Sequence, residues 1–427
     1  MTDVSLAVRF FLQLAVILIT CRAVGWFGRR YLGQTQVVME MIAGVLLGPS
    51  LFGMLFPDAQ TWLFPQTAMV GETSIKHPSM SILYVASQLG LVLYMFLVGL
   101  EFETSLLKQK ARGAIAVSIS GIMLPFALGV LASMWMREPG VYFSSNARPW
   151  EGAVFMGAAM CITAFPMLAR IISERGLAGT TMGTLALAAG ATDDAMAWAM
   201  LAVVLSSFTN IPAYALWAIG GGFAFAIFMA VIAKQWLARL ETWTLREGGV
   251  NHNIAITSYS IIALAAWFTD AIGIYAVFGA FITGVCMPRG EFAKGIRIRT
   301  EFATSTLLLP LFFTYSGLNT KVQLLGTGSV LALAVVIIVF AIAGKWLGCM
   351  LAARLSGESW RDASAIGVLM NARGLMELII LNIGLQHGVI TPTLYTVMVL
   401  MAIFTTVMAS PIFARLYRPP ELAEAPA

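Results

Sequence analysis

Two acidic residues stand side by side in the otherwise apolar stretch Ala191-Thr-Asp-Asp-Ala-Met-Ala-Trp198. They lie near the middle of a predicted membrane-spanning helix at about 180–207. An ionised side chain at the centre of a bilayer costs about 2.5–3.5 kcal/mol on insertion scales, so such residues are functional by default. Asp193 and Asp194 therefore mark the part of the chain from which fold and function are best argued.

Three further ionisable residues fall deep inside apolar stretches. Lys345 follows Gly344, and Arg373 and Glu377 lie in Asn371-Ala-Arg-Gly-Leu-Met-Glu-Leu378. Together with the two aspartates they occupy only the last three predicted spans of each half of the chain. This partition predicts a charged transport bundle beside an apolar scaffold.

The composition requires a membrane environment. Of 427 residues, 59% are hydrophobic and only 11% are charged, whereas a soluble domain has roughly 25% charged residues. A spanning helix needs about 20 mostly apolar residues. On that template the sequence predicts an all-α polytopic protein of about thirteen spans: 5–27, 37–55, 81–100, 112–136, 152–172, 180–207, 212–233, 253–270, 272–288, 303–319, 328–353, 363–386 and 393–414.

The distribution of basic residues predicts the orientation. With the N-terminus outside, eighteen of the 26 lysines and arginines fall in the inward loops and the C-terminal tail, and five fall outside: Arg9, Lys76, Arg137, Arg148 and Lys321. Cytoplasmic loops carry this excess of positive charge. The net charge of +5 is therefore a topology signal rather than a sign of nucleic-acid binding, and we expect a multi-pass inner-membrane protein with a cytoplasmic C-terminus.

These spans divide the chain into five parts. We expect scaffold helices at 1–110 and 251–322, transport-core helices at 111–210 and 323–427, and a linker helix at 211–250. The stretches between spans are short, and the tail predicts no cytosolic nucleotide-binding module. The four cysteines lie in apolar stretches without CxxC spacing and the three histidines are scattered, so we expect no cofactor and no metal other than a transported alkali cation.

The two aspartates have different neighbours. Adjacent residues on a helix point about 100° apart, so Asp193 and Asp194 cannot converge on one point. One can face a counter-ion, for which a buried Lys345 is suited, while the other faces a cavity. Carboxylate oxygens bind alkali cations and protons alike, as an exchanger requires. A purely structural ion pair is the alternative, but it would leave one aspartate without a role.

Two spans contain interruptions. Pro166 lacks the N–H that would bond the carbonyl of Ile162, which makes the carbonyls near Ile162–Thr163 and the Thr163 hydroxyl candidate cation ligands. The second interruption runs from Asn371 to Gly374, in a span of opposite direction. Opposed broken helices beside a carboxylate span are typical of inverted-repeat transporters with a site at the midplane. An ordinary proline kink is the alternative for the first.

Secondary roles follow from spacing. Arg373 and Glu377 are four residues apart and can pair on one helix face, so we expect them to brace the interrupted helix. Thr192 precedes the aspartates and either supplies a ligand hydroxyl or bonds back to its own helix.

Five stretches carry a family resemblance: Gln36–Gly53, Gly90–Glu103, Cys161–Leu177, Ala191–Trp198 and Asn371–Gly384. They resemble the monovalent cation:proton antiporter-2 family, and the last is closest to its plant and bacterial cation/H+ exchanger branch. The resemblance covers nearly the whole chain. It implies the thirteen-helix sodium/proton antiporter fold with inverted repeats, a homodimer formed through spans one to three and eight to ten, and alternating access by an elevator-like movement.

Residue roles carry over with the resemblance. Asp194 is similar to the family's cation- and proton-binding aspartate, Asp193 to its partner, paired with Lys345 in the proton-loaded state, and Thr163 lies at the helix crossing. Two positions depart from the family. Tyr275 stands where histidine is frequent and Cys161 where serine is common, which leaves pH response and ion preference open.

The expected activity is exchange of Na+ or K+ for H+, with two protons per cation and therefore net charge movement. One-for-one exchange, in which Lys345 is a static brace, is the competing account. Other classes fit less well: a channel favours open rings of ligands, and a sodium-coupled organic-anion symporter need not carry the aspartate–lysine arrangement. No nucleophile–base or metal pattern indicates an enzyme. Choice between Na+ and K+ is not encoded in any motif.

Overall fold

The chain folds almost entirely into helices. The computed structural model describes residues 3–34, 36–70, 73–102, 104–136, 140–145, 147–177, 180–190, 192–193, 196, 200, 212–318, 320, 326 and 328–417. Within these ranges, eight helices are long and apolar enough to cross a membrane. The all-α membrane fold is confirmed, whereas the count of thirteen spans stays a prediction.

The first half of the chain contains nine helices among the described residues. They are α1 (Asp3–Phe27), α2 (Gln36–Leu47), α3 (Phe52–Leu55), α4 (Pro57–Leu63), α5 (Pro78–Glu101), α6 (Thr104–Trp135), α7 (Pro149–Cys161), α8 (Phe165–Glu174) and α9 (Thr181–Gly190). A π-helical turn, Gly28–Leu32, continues α1.

The second half contains eleven more. They are α10 (Pro212–Phe228), α11 (Lys234–Leu237), α12 (Arg239–Arg246), α13 (His252–Ala271), α14 (Ala276–Cys286), α15 (Glu291–Ala303), α16 (Leu309–Gly317), α17 (Gly328–Leu355), α18 (Trp360–Met370), α19 (Leu375–Gln386) and α20 (Pro392–Leu416). Two further π-helical turns, Met229–Ala233 and Thr304–Leu308, join α10 to α11 and α15 to α16.

The region between the second and third spans is more ordered than its sequence indicates. It lies between the predicted spans 37–55 and 81–100, and it holds α4 and a β-hairpin. Strands β1 (Thr67–Val70) and β2 (Thr73–Lys76) are antiparallel, with Thr67 opposite Lys76 and Val70 opposite Thr73. Short strands of this kind carry too little alternation to be separated from loop by pattern alone.

The tight turn predicted between spans eight and nine is present between α13 and α14. Gly273 has φ 85° and Tyr275 has φ 86°, and Tyr275 is the one non-glycine residue with positive φ in the described part of the chain. A bulky residue in this region of backbone space is strained. The departure from the family at Tyr275 therefore coincides with a conformation that the surrounding structure must hold in place.

Close helix contacts rest on small residues. A Cβ added to Gly99 of α5 would lie 2.2 Å from the carbonyl oxygen of Phe281, and one added to Gly284 of α14 would lie 2.2 Å from that of Phe96. Glycine lets helix backbones approach closely in this way. The same device joins α6 to α17, where a Cβ on Gly348 would lie 2.8 Å from the carbonyl oxygen of Ser120.

Candidate functional site

The first half of the site is an interruption between α7 and α8. Helix α7 ends at Cys161, residues 162–164 are not helical, and α8 begins at Phe165. Pro166 thus lies in the first turn of α8, where a missing N–H costs nothing because that donor has no partner within the helix. The predicted break is present, and Pro166 marks the start of the second half-helix rather than a kink inside a continuous one.

The second half is the interruption between α18 and α19. Helix α18 ends at Met370, and α19 begins at Leu375 with Gly374 as its N-cap. Asn371 follows α18 directly, and its side-chain amide donates to the carbonyl of Gly367 at 3.1 Å. The backbone of Gly374 is extended. A Cβ added to Gly374 would lie 3.4 Å from the side chain of Ala164, which is an ordinary van der Waals contact.

The two interruptions meet. The backbone N–H of Ala164 donates to the carbonyl of Ala372 at 3.1 Å, and the Thr163 hydroxyl reaches the carbonyl of Met370 at 3.2 Å. Both bonds use backbone groups that helix ends leave without intrahelical partners. At the crossing, polar groups near the end of one helix therefore form hydrogen bonds with polar groups near the end of the other, inside an apolar core.

Asp193 is surrounded by donors at this crossing. Its Oδ1 accepts from the Ser118 hydroxyl at 2.5 Å. Its Oδ2 accepts from the Thr163 hydroxyl at 2.8 Å and from Lys345 Nζ at 2.6 Å. The side chains of Asp193 and Lys345 are completely buried. Three donors from three different segments therefore converge on one buried carboxylate group.

Lys345 has a second acceptor from the broken helix. Its Nζ lies 2.6 Å from the carbonyl oxygen of Cys161, the last residue of α7. The Cys161 thiol donates instead to Ala158 in its own helix at 3.2 Å. Cys161 therefore serves the site through its backbone, which a serine at this position would supply equally.

Arg373 ties the two interruptions together from the other side. Its guanidinium donates to the carbonyls of Ala159 at 3.2 Å and Met160 at 2.6 Å, both near the end of α7. Glu377 lies 3.7 Å from the same guanidinium, and both side chains are completely buried. The backbone of Arg373 is held by the Thr406 hydroxyl of α20, which accepts from its N–H and donates to its carbonyl.

The structure brings together most of the predicted site residues, but not all. Asp193, Thr163 and Lys345 converge, and Arg373, Glu377, Asn371 and Gly374 lie around the same crossing. The Thr192 hydroxyl donates back to Ala188 at 2.9 Å, which is the second of the two roles considered for it. Asp194, the predicted binding aspartate, lies outside the described residues.

Sequence reasoning missed Ser118 and the Cys161 carbonyl. Ser118 lies in α6 and is completely buried. One serine in an apolar helix carries no pattern that distinguishes it from serines such as Ser133, which bonds its own helix. The Cys161 carbonyl was missed because α7 ends at Cys161, whereas a kink caused by Pro166 alone frees the carbonyls near Ile162 and Thr163.

Comparison with known proteins shows which family has this architecture. The sequence profile described as "Sodium/hydrogen exchanger, transmembrane" matches residues 15–418. The chain belongs to the sodium/hydrogen exchanger family. The Na(+)/H(+) antiporter NhaS4 of Synechocystis sp. is 37% identical over 96% of this chain and 97% of its own length. The resemblance noted from the motifs is confirmed, and the chain is a membrane-embedded cation/proton antiporter.

Other relatives are longer. The Cation/H(+) antiporter 17 of Arabidopsis thaliana is 37% identical over 96% of this chain but only 48% of its own length. The K(+)/H(+) antiporter 1 of Saccharomyces cerevisiae is 30% identical over 96% of this chain and 46% of its own. The chain spans about half the length of these two relatives.

The fold has a solved counterpart. The sodium proton antiporter MjNhaP1 from Methanocaldococcus jannaschii superposes with a TM-score of 0.67 over 96% of both chains at 15% sequence identity. At 15% sequence identity the match supports the fold alone. It confirms the sodium/proton antiporter fold that the family resemblance implies.

Proposed function

We propose that this protein exchanges Na+ or K+ for H+ by alternating access at the crossing of α7–α8 with α18–α19. The observation that carries the proposal is the completely buried contact between Lys345 and Asp193, 2.6 Å long, beside the two helix interruptions. An ion pair placed only for stability has a weak physical rationale, because desolvation offsets most of its attraction. An ion pair that must open and close during transport has a clear physical rationale.

The proposed roles divide between the two aspartates. Asp194 binds the cation in one half of the cycle and a proton in the other. Asp193 is charged throughout and pairs with Lys345 when no cation is bound. Thr163, which donates to Asp193 Oδ2 at 2.8 Å, and the carbonyls of the interruptions supply neutral oxygen ligands suited to an alkali cation.

Two protons accompany each cation in this cycle. The cation arriving at Asp194 repels the Lys345 ammonium, and burial already disfavours its charge. Lys345 then releases its proton and leaves Asp193, and Asp194 releases its own. When the cation leaves on the other side, both groups take up protons again. Exchange of two protons for one cation moves net charge, so the membrane potential drives it.

The residues around the crossing hold this geometry. Arg373 spans from one interruption to the carbonyls of Ala159 and Met160 at the other, with Glu377 as its counter-charge. Asn371 and Gly374 bound the second interruption, and Pro166 starts the half-helix after the first. We assign all five a supporting role and no direct contact with the ion.

The setting of the transporter is part of the proposal. We place it in a cell inner membrane with the N-terminus outside and the C-terminus in the cytoplasm, as the basic loops favour. Helices at 1–110 and 251–322 form the scaffold and the contact between two copies. Helices at 111–210 and 323–427 move as the transport core, joined by the linker at 211–250.

Ion flux in proteoliposomes tests the assignment of the site. With a pH gradient imposed, Na+, K+ or Li+ added outside should dissipate it in wild type. Asp194→Asn should abolish this response, because the charge that alternates between cation and proton is gone, while the protein remains inserted. Asp270→Asn, at an exposed aspartate near the end of α13, is the matched control and should exchange normally. Exchange at the wild-type rate in Asp194→Asn would remove Asp194 from the site.

A further inference from the structure

A large groove lies on the outer surface of the bundle, far along the chain from the ion site. It has a volume of about 1160 Å³ and is lined by residues of α10 to α13. Its walls are apolar and aromatic, and include Phe225, Phe228, Leu264 and Phe268. Pockets for drug-sized ligands occupy about 300–1,000 Å³, so this groove suits a larger, mostly apolar molecule.

One end of the groove is basic. Arg239, Thr242, Trp243 and Arg246 of α12 all line it. They are spaced i, i+3, i+4 and i+7, which places them on a single face of the helix. Trp243 lies on this same face of α12 and lines the groove beside the two arginines. Tryptophan is enriched at the level of lipid headgroups, so this end of the groove has the features of a membrane interface.

The two arginines are not neutralised by the protein. Neither Arg239 nor Arg246 makes an ion pair or a side-chain hydrogen bond with the residues that the structure describes. The neighbouring carboxylates are engaged elsewhere: Glu241 accepts from the backbone N–H groups of Glu291 and Phe292, and Glu247 accepts from Asn251. A pair of free guanidinium groups therefore faces the basic end of an apolar groove.

The contact of Glu241 also fixes the direction of this face. By capping the first turn of α15, Glu241 anchors α12, and Leu240 and Thr244 of α12 are buried. The carboxylate at a helix N-terminus is a favourable electrostatic placement. Arg239 and Arg246 thus lie on a helix that Glu241 fixes in place, and not on a loop.

We propose that this groove binds an anionic phospholipid. Its acyl chains lie along the aromatic wall of α10 and α13, and its phosphate lies between Arg239 and Arg246. Guanidinium groups bind phosphate through paired, charge-assisted hydrogen bonds, and basic pockets between membrane helices are suited to anionic headgroups. Charge complementarity selects an anionic lipid as the occupant, because Arg239 and Arg246 have no acidic partner among the described residues.

Lipid titration by native mass spectrometry of the purified full chain tests this proposal. Phosphatidylglycerol should bind at least fivefold more tightly than phosphatidylcholine with the same acyl chains. The double variant Arg239→Gln/Arg246→Gln should lose that preference, because both phosphate contacts are removed. The matched control, Lys234→Gln/Lys294→Gln, removes two exposed charges that do not line the groove and should keep it.

A second variant tests the acyl part of the site. Ala224 is exposed and lines the groove, so Ala224→Trp should fill it without disturbing the core and weaken binding of both lipids. The proposal is overturned if the arginine double variant still prefers phosphatidylglycerol, or if both double variants lose the preference equally. It is also overturned if Ala224→Trp leaves lipid binding unchanged but converts a dimer to monomers, since the groove would then hold a second copy.

Discussion

At the scale of single residues, Asp193 is defined by its three donors. Ser118, Thr163 and Lys345 come from α6, from the interruption after α7 and from α17. A carboxylate without such partners would be strongly disfavoured in an apolar core. The donors therefore allow a permanent negative charge to remain beside the ion path, which the proposed cycle needs when Lys345 is deprotonated.

Substitution of Ser118 tests whether this charge matters for transport. Ser118→Ala removes the donor to Oδ1, and a hydrogen bond to a charged group is worth about 1.5–3 kcal/mol. In the proposed cycle Lys345 is neutral in the cation-loaded state, where Asp193 depends most on its hydroxyl donors, so the variant should favour the proton-loaded state. We expect the apparent KM for the cation to rise about tenfold, measured as cation-dependent proton flux.

The control lies on the same helix. Ser133 is also buried in α6, but its hydroxyl donates to the carbonyl of Val130. Ser133→Ala should leave the KM within about twofold of wild type, and Ser118→Thr should restore much of the loss in Ser118→Ala. Equal effects of the two alanine variants would mean that Ser118 acts through packing and not through Asp193.

The sequence identified most of these residues because buried charge is rare. A lysine deep in an apolar span needs a counter-ion, and that requirement alone predicted the contact of Lys345 with an aspartate. Ser118 could not be predicted in the same way. A serine in a membrane helix satisfies itself with its own backbone at little cost, so its residue type does not reveal a distant partner.

At the scale of elements, the crossing depends on Arg373. Its two bonds to α7 carbonyls and its contact with Glu377 are all buried. Arg373→Gln should lower the free energy of unfolding by about 3–5 kcal/mol, because it leaves Glu377 as an uncompensated buried charge. Arg297→Gln, at an exposed arginine paired with Glu101 and Glu301, should change stability by less than about 1 kcal/mol. Thermal unfolding in detergent measures both.

A double substitution separates charge from hydrogen bonding. Arg373→Gln/Glu377→Gln removes the uncompensated charge and should recover part of the stability lost in Arg373→Gln. If the double variant is less stable than the sum of the two single effects predicts, Glu377 is not the counter-charge of Arg373. The brace would then consist of the carbonyl contacts alone.

The positions of the interruptions show what a sequence pattern can and cannot locate. Pro166 and Asn371–Gly374 predicted two broken helices, because proline and glycine disfavour a continuous helix. They did not predict that the Cys161 carbonyl would contact Lys345. That detail depends on contacts with the partner interruption, such as Ala164 to Ala372, which are far apart in sequence.

At the scale of the whole molecule, orientation is the least constrained property of the fold. The four native cysteines are buried, so a single exposed cysteine can be labelled with little background. Ser145→Cys lies on the predicted outer side and Ser356→Cys on the predicted inner side, and both serines are exposed. A membrane-impermeant maleimide should label Ser145→Cys in intact cells and Ser356→Cys only in inside-out vesicles. The reverse pattern would invert the topology.

The general architecture could be predicted from the sequence because few backbone structures can span a bilayer. Long apolar stretches must be helices, and opposed interruptions beside carboxylates specify one class of transporter. The hairpin at Thr67–Lys76 and the strained turn at Tyr275 were not readable, since both lie where the bilayer constraint no longer applies. The pairing of α5 with α14 through Gly99 and Gly284 could not be predicted either. The spacing of glycines in a helix does not indicate which other helix packs against them.

The central claim is that the contact of Lys345 with Asp193 opens and closes once per cycle and thereby moves charge. The most direct test uses proteoliposomes with equal pH and equal cation concentration on both sides and a membrane potential imposed without potassium. Wild type should move protons in the direction set by the sign of the potential, in a cation-dependent manner, and Lys345→Gln should lose this response. Absence of potential-driven proton movement in wild type would contradict the two-proton mechanism and leave Lys345 as a static brace in an electroneutral exchanger.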